Sequence, residues 1–178
     1  MPDSKEILRQ ANALVRQSGG HNPFAAAKLR GIDVQTTDEF SSLLGMYVFR
    51  WKHRAIFLNA RMSGQLRRTV CAHELGHDVF HRAQARRAEL CELSLFRAKT
   101  SMEYEANAFA AHFLIDTEEC MEAAERGLAP CQMASLFETE EELVLIKLQE
   151  LMHLGYPLRL PREPKTAFLR QTARKKAP

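Results

Sequence analysis

His73-Glu74-Leu75-Gly76-His77 sets two imidazoles four residues apart, with a carboxylate directly after the first. On an α-helix such a pair shares one face, roughly 40° apart around the axis. The two rings can then converge on one metal ion. Glu74 would project beside that ion, where it can take a proton from a water the metal activates. A solvated surface helix could carry the same residues without any chemistry. The flanking residues argue against that. Leu66, Val70, His73, His77 and Phe80 follow a helical period, and Ala72, Leu75 and Val79 make a second apolar strip. The helix is therefore expected to be buried on two sides. Two histidines and a glutamate buried without partners are costly, and a metal removes that cost.

A site of this kind needs a third protein ligand. The helix expected over Ser101 to Ile115 offers Glu103 and Glu105. Its apolar stripe is Met102, Ala106, Phe109, Ala110 and Phe113. Glu103 falls roughly 60° from the centre of that stripe, and Glu105 roughly 100° away on the other side. Glu103 is thus expected nearer the buried face and is the preferred ligand. Asn107, one turn on, is placed to hydrogen-bond a ligand. His81 lies one turn beyond His77, but a third ring at that spacing drifts around the helix, so it reads as a supporting or packing residue. His21, His53, His112 and His153 are isolated and read as surface or core residues. Tyr104 has no assigned role, because packing explains its place beside Glu103 equally well.

The elements that must position these groups can be read along the chain. Ser4 to Gln17 is expected to be an amphipathic helix capped by Ser4 and ended by Ser18-Gly19-Gly20. A short helix capped by Asn22, with Pro23 in its first turn, runs to Leu29 and stops at Gly31. Ile32–Thr36, Gly45–Trp51 and Arg54–Leu58 are expected strands, with Lys52-His53 as a turn. They should form a small, mostly antiparallel sheet beside the motif helix, with an edge able to take an extended peptide. Asn59 to Gly64 is a loop, and the motif helix starts near Gln65.

Composition narrows the class. The 178 residues fit one domain with at most an appendage, and 46% are hydrophobic, ample for a core. A net charge of +3 is too small to argue for nucleic acid, and much of it lies between Arg170 and Lys176. Cys71, Cys91, Cys120 and Cys131 show no CxxC spacing and fit reduced thiols in a cytoplasmic protein. No signal peptide and no membrane-length apolar run is visible.

Two segments together resemble a known family. His73-Glu74-Leu75-Gly76-His77-x-x-x-His81, followed by Glu103-Tyr104-Glu105-Ala106-Asn107-Ala108-Phe109-Ala110-Ala111-x-Phe113-Leu114, is similar to the ImmA/IrrE metallopeptidases, over about residues 20 to 155. Ile56-Phe57-Leu58-Asn59 and Leu66-Arg67-Arg68-Thr69 fit the same pattern. The resemblance implies zinc held by His73, His77 and Glu103, with Glu74 as the general base. Glu103-x-x-x-Asn107 also matches the Glu-x-x-x-Asp/Asn element of gluzincins. The implied activity is endopeptidase cleavage of a protein, typically a helix-turn-helix repressor encoded nearby. The alternative is a metal-stabilised anti-repressor that sequesters its target uncleaved. One departure is Phe113-Leu114-Ile115-Asp116, where the family usually has Leu-Leu-Met-Pro, so the local loop should differ.

The expected fold class is α+β: a mostly helical zincin-like core over 1–116, a helical segment packed on it over 117–156, and an extended basic tail over 157–178. Thr117–Glu125 is one helix of that segment, closed by Gly127. Cys131–Phe137 and Thr139–Leu154, the latter capped by Thr139, form a helix-turn-helix-like pair. Glu140, Glu141 and Glu142 at the start of the longer helix repel phosphates, so direct DNA binding is not expected.

Overall fold

A computed structural model describes residues 3–86, 90–92, 96 and 100–158. Helix α1 (Ser4–Ser18) is capped by Asp3, whose carboxylate accepts from the Glu6 amide, and ends at Gly19 in the left-handed region. The expected cap, Ser4, is instead the first helical residue. Helix α2 (Pro23–Leu29) is capped by Asn22, which accepts from the Phe24 and Ala25 amides. Three strands follow: β1 (Asp33–Thr37), β2 (Gly45–Arg50) and β3 (His53–Asn59). Arg50 pairs with His53, leaving only Trp51 and Lys52 for the turn, one residue earlier than expected. Both have positive φ, the backbone of the tight hairpin turn that matches strand twist.

Helix α3 (Gly64–Phe80) carries the His-Glu motif and is capped by Ser63. A single turn, α4 (Arg82–Ala85), follows it, and then β4 (Leu90–Glu92). β4 was not expected as a strand; three residues are too few for a readable alternation. The sheet order is β1-β3-β2-β4. β1 runs parallel to β3, while β2 is antiparallel to both β3 and β4, so the sheet is mixed but mostly antiparallel.

Helix α5 (Ser101–Leu114) is capped by Thr100. Asp116, which stands where the resembled family usually has proline, caps α6 (Thr117–Glu125) by accepting from the Glu118 and Glu119 amides. Helices α7 (Pro130–Leu136) and α8 (Glu141–His153) complete the described chain. Thr139 does not cap α8; the cap position is Glu140, with no side-chain cap bond. Glu140 instead accepts from the Thr69 hydroxyl at 2.6 Å, tying the start of α8 to α3. Most of the expected tail, residues 159–178, lies outside the described residues, as does part of the Arg82–Ala88 stretch.

The fold is α+β. Helices α3 and α5 pack against each other at its centre, α1 and α8 lie on α5, and the sheet lies on α3. One apolar cluster runs through all these layers, from Ile7 on α1 to Leu151 on α8. Two glycines set the spacing around α3. A Cβ on Gly76 would stand 2.9 Å from the Ala106 Cα of α5, and one on Gly45 of β2 would stand 2.5 Å from Val70 and 2.8 Å from Glu74. Among the described residues no helix is long and apolar enough to cross a membrane.

Candidate metal centre

Helix α3 holds His73, Glu74 and His77 almost fully out of solvent, and α5 brings Glu103 across to them. The Nε2 atoms of His73 and His77 are 3.1 Å apart. Glu103 Oε2 lies 3.4 Å from His73 Nε2, and Glu103 Oε1 lies 3.7 Å from His77 Nε2. A zinc ion at ~2.0–2.2 Å from tetrahedral donors keeps those donors ~3.3–3.6 Å apart. The three edges scatter about that value, and two imidazoles with one carboxylate are a donor set suited to zinc. The residues present therefore fit the metal that the sequence implies.

The far side of each ring is also engaged. His73 Nδ1 lies 2.9 Å from Asn107 Oδ1. An amide oxygen only accepts, so His73 carries a proton on Nδ1, which leaves Nε2, on the Glu103 side, as its metal-binding nitrogen. His77 Nδ1 lies 2.9 Å from His81 Nδ1, and His81 Nε2 lies 3.0 Å from Glu105 Oε2. Burial pushes the His77 pKa down to about 4, against the pull of Glu103, so this ring is neutral near pH 7.

Glu74 sits under the first residue of β2, where only a glycine leaves room for its carboxylate. The adjacent Cys71 is buried, and burial followed by the Glu74 charge raises its thiol pKa, which makes it a packing residue rather than a nucleophile.

The burial of the two glutamates is the reverse of that expected from the apolar stripe. Glu105 is the more buried, at 5% exposure, while the Glu103 side chain is 27% exposed. Helix α5 is buried nearly all round from Glu105 to Leu114, so a single apolar stripe does not locate its inner face. Glu103 nevertheless meets the two rings, while Glu105 faces His81. Tyr104 turns away from the metal-ligand candidates and donates to Glu150 Oε1 at 2.5 Å.

Sequence reading missed two buried polar clusters. Asp78, next to His77, is fully buried. It accepts from the Tyr47 hydroxyl at 2.6 Å, from Arg30 at 2.7 Å and from Arg54 at 3.3 Å, and Arg82 lies 3.2 Å away. Burial alone would raise its pKa, but Tyr47 and the arginines outweigh that and hold it low. This carboxylate ties α2, β2, β3 and α4 to the motif helix. An acidic residue directly after the second histidine was the available signal, but its partners are scattered along the sequence. In the second cluster, the fully buried Lys147 on α8 donates to Thr117 Oγ1 at 2.9 Å and lies 3.1 Å from His112 Nδ1. Glu150 lies 3.8 Å from the other side of His112. Burial lowers the Lys147 pKa to about 8 and the His112 pKa to about 4. His112, read as isolated, is therefore a core residue.

Comparison with known proteins places residues 27–149 in a match to the IrrE N-terminal-like domain (Peptidase_M78). That span contains every residue of the two facing motifs. The chain is also 29% identical over 109 residues to "Uncharacterized immunity region protein 2" of Bacillus phage phi105, covering 61% of this chain and 68% of that protein.

Proposed function

The chain belongs to the IrrE N-terminal-like metallopeptidase family, and from that premise we propose that it is a zinc-dependent endopeptidase. The observation that carries this reading is the meeting of Glu103, from a separate helix, with His73 and His77, while Glu74 stands on the same buried helix. A site that only braced a fold has no use for a buried carboxylate in that place. Zinc, when bound, polarises a scissile carbonyl and acidifies a water. His73, His77 and Glu103 would hold the ion. Glu74 takes a proton from the attacking water and passes it to the leaving amine. Asn107 orients the His73 ring through its Nδ1 proton.

The substrate is proposed to be a helix-turn-helix repressor in the cytoplasm. Support comes from the phage relative, whose name places it in an immunity region. Direct DNA binding is not part of the proposal, because α8 opens with Glu141 and Glu142 directly after Glu140. The test is incubation of pure protein with the repressor encoded nearest to its gene, with and without chelator. Chelator-sensitive fragments, lost in Glu74→Gln while zinc is retained, are expected. Cleavage by Glu74→Gln would refute the role of Glu74. A stable complex without fragments would replace the enzyme by a sequestering anti-repressor.

A further inference from the structure

We infer that His81 and Glu105 are positioning residues, a directed hydrogen-bond relay that sets the tautomer of His77 and places negative charge behind that ligand alone. The inference rests on the proposed metal role of His77. It follows from counting protons along the chain of contacts. His77 Nδ1 and His81 Nδ1 are 2.9 Å apart, so one proton lies between them. If His77 holds a cation through Nε2, that nitrogen is bare and the ring's proton is on Nδ1. His77 then donates and His81 Nδ1 accepts. A neutral His81 must therefore carry its own proton on Nε2. That atom faces Glu105 Oε2 at 3.0 Å, an oxygen able to accept it.

The reverse order fails at the Glu105 end for a neutral His81 and at the metal end for any His81. Were His81 to donate from Nδ1 as a neutral ring, its bare Nε2 would face the carboxylate, two lone pairs 3.0 Å apart. His81 is 2% exposed and Glu105 is 5% exposed, so water does not relieve that clash. His77 would also need its proton on Nε2, which blocks coordination. Glu105 therefore fixes two rings in series. His73, by contrast, rests on the neutral amide of Asn107 at 2.9 Å. The two histidines are chemically unequal ligands: one is backed by a dipole, the other by an anion through an imidazole. Hydrogen bonding to a carboxylate raises the basicity of a ligating imidazole.

The test is a zinc competition titration on the full chain with wild type, Glu105→Gln, His81→Gln and the double variant. Each single variant should weaken zinc binding about 10–100-fold, the usual range for such partners. The double variant should lose no more than the worse single one, because both changes take the Glu105 charge from behind the same ring. Ring-nitrogen NMR of 15N-histidine-labelled wild type, loaded with zinc, reads the tautomers directly and does not depend on any variant folding. It should show His77 protonated on Nδ1, and His81 bare on Nδ1 and protonated on Nε2. Wild-type zinc affinity in Glu105→Gln, or a His81 protonated on Nδ1, overturns the inference while leaving the metal site intact. A wild-type chain that binds no zinc overturns the metal reading and the relay with it.

Discussion

Replacing Gly76 by alanine puts one methyl group between the helices that carry the metal-ligand candidates. The new Cβ would stand 2.9 Å from the Ala106 Cα, 3.1 Å from the Ala106 oxygen and 3.3 Å from the Ala106 Cβ, against 3.4 Å or more for ordinary contact. Two of these atoms are backbone, so no side-chain rotation relieves the overlap. Helices α3 and α5 must separate by about 0.5 Å or more, since close-packed interiors have little room to absorb it. His73 and His77 ride on α3 and Glu103 on α5, so the same separation lengthens the 3.4 Å and 3.7 Å histidine–carboxylate distances. Metal ligands tolerate about 0.2 Å. Overpacking of this kind costs about 1–3 kcal/mol. The better helix propensity of alanine returns about 1 kcal/mol. Stability should thus fall by about 0–2 kcal/mol, while zinc affinity falls by at least about tenfold, or 1.4 kcal/mol. Urea unfolding of the metal-free protein and zinc competition read the two effects separately. Gly64→Ala is the control, since nothing lies within 4 Å of a Cβ there. Wild-type zinc affinity in Gly76→Ala would mean that α5 does not supply the third ligand across this contact.

Three other outcomes are expected. Asp78→Asn should cost about 2–4 kcal/mol in urea unfolding, at the lower end because the arginines are partly exposed; a loss under 1 kcal/mol would show that the arginine cluster contributes little. Lys147 has a folded pKa of about 8 against 10.5 in the open chain. Between those values the unfolded chain holds more protons, so stability gains about 3 kcal/mol from Lys147 as pH rises from 8 to 10.5. The difference between wild type and Lys147→Met should shift in the wild type's favour over that window, and a flat difference would contradict the depressed pKa. Glu103→Ala should empty the site of zinc far more completely than Glu105→Ala in metal analysis of purified protein, and the opposite ranking would mean that Glu103 is not the third ligand.

Local chemistry made much of the fold legible. Asn22-Pro23, Gly31 and Gly127 announced their helix ends because caps and left-handed turns depend on one or two residues. The meeting of α3 and α5 could be anticipated because a paired-histidine site needs a third ligand, which Glu103 on the second motif offers. What failed depended on partners distant in sequence. Glu105 lies off the apolar stripe, yet it is buried, and its partner there is His81, 24 residues earlier. Asp78 carries no local sign of its role, because Tyr47, Arg30 and Arg54 lie 24 to 48 residues away. Thr139 carried a cap signature, yet Glu140 takes the cap position while its carboxylate accepts from Thr69 on another helix. The turn after β2 shifted by one residue because Trp51 and Lys52 adopt positive φ without the glycine or asparagine that normally signals it.

The most direct test is anomalous scattering at the zinc edge from crystals of the zinc-loaded chain. The account predicts one peak per chain, ~2.0–2.2 Å from His73 Nε2, His77 Nε2 and a Glu103 carboxylate oxygen. A peak elsewhere, or no peak with Glu103 turned away from both rings, would contradict it.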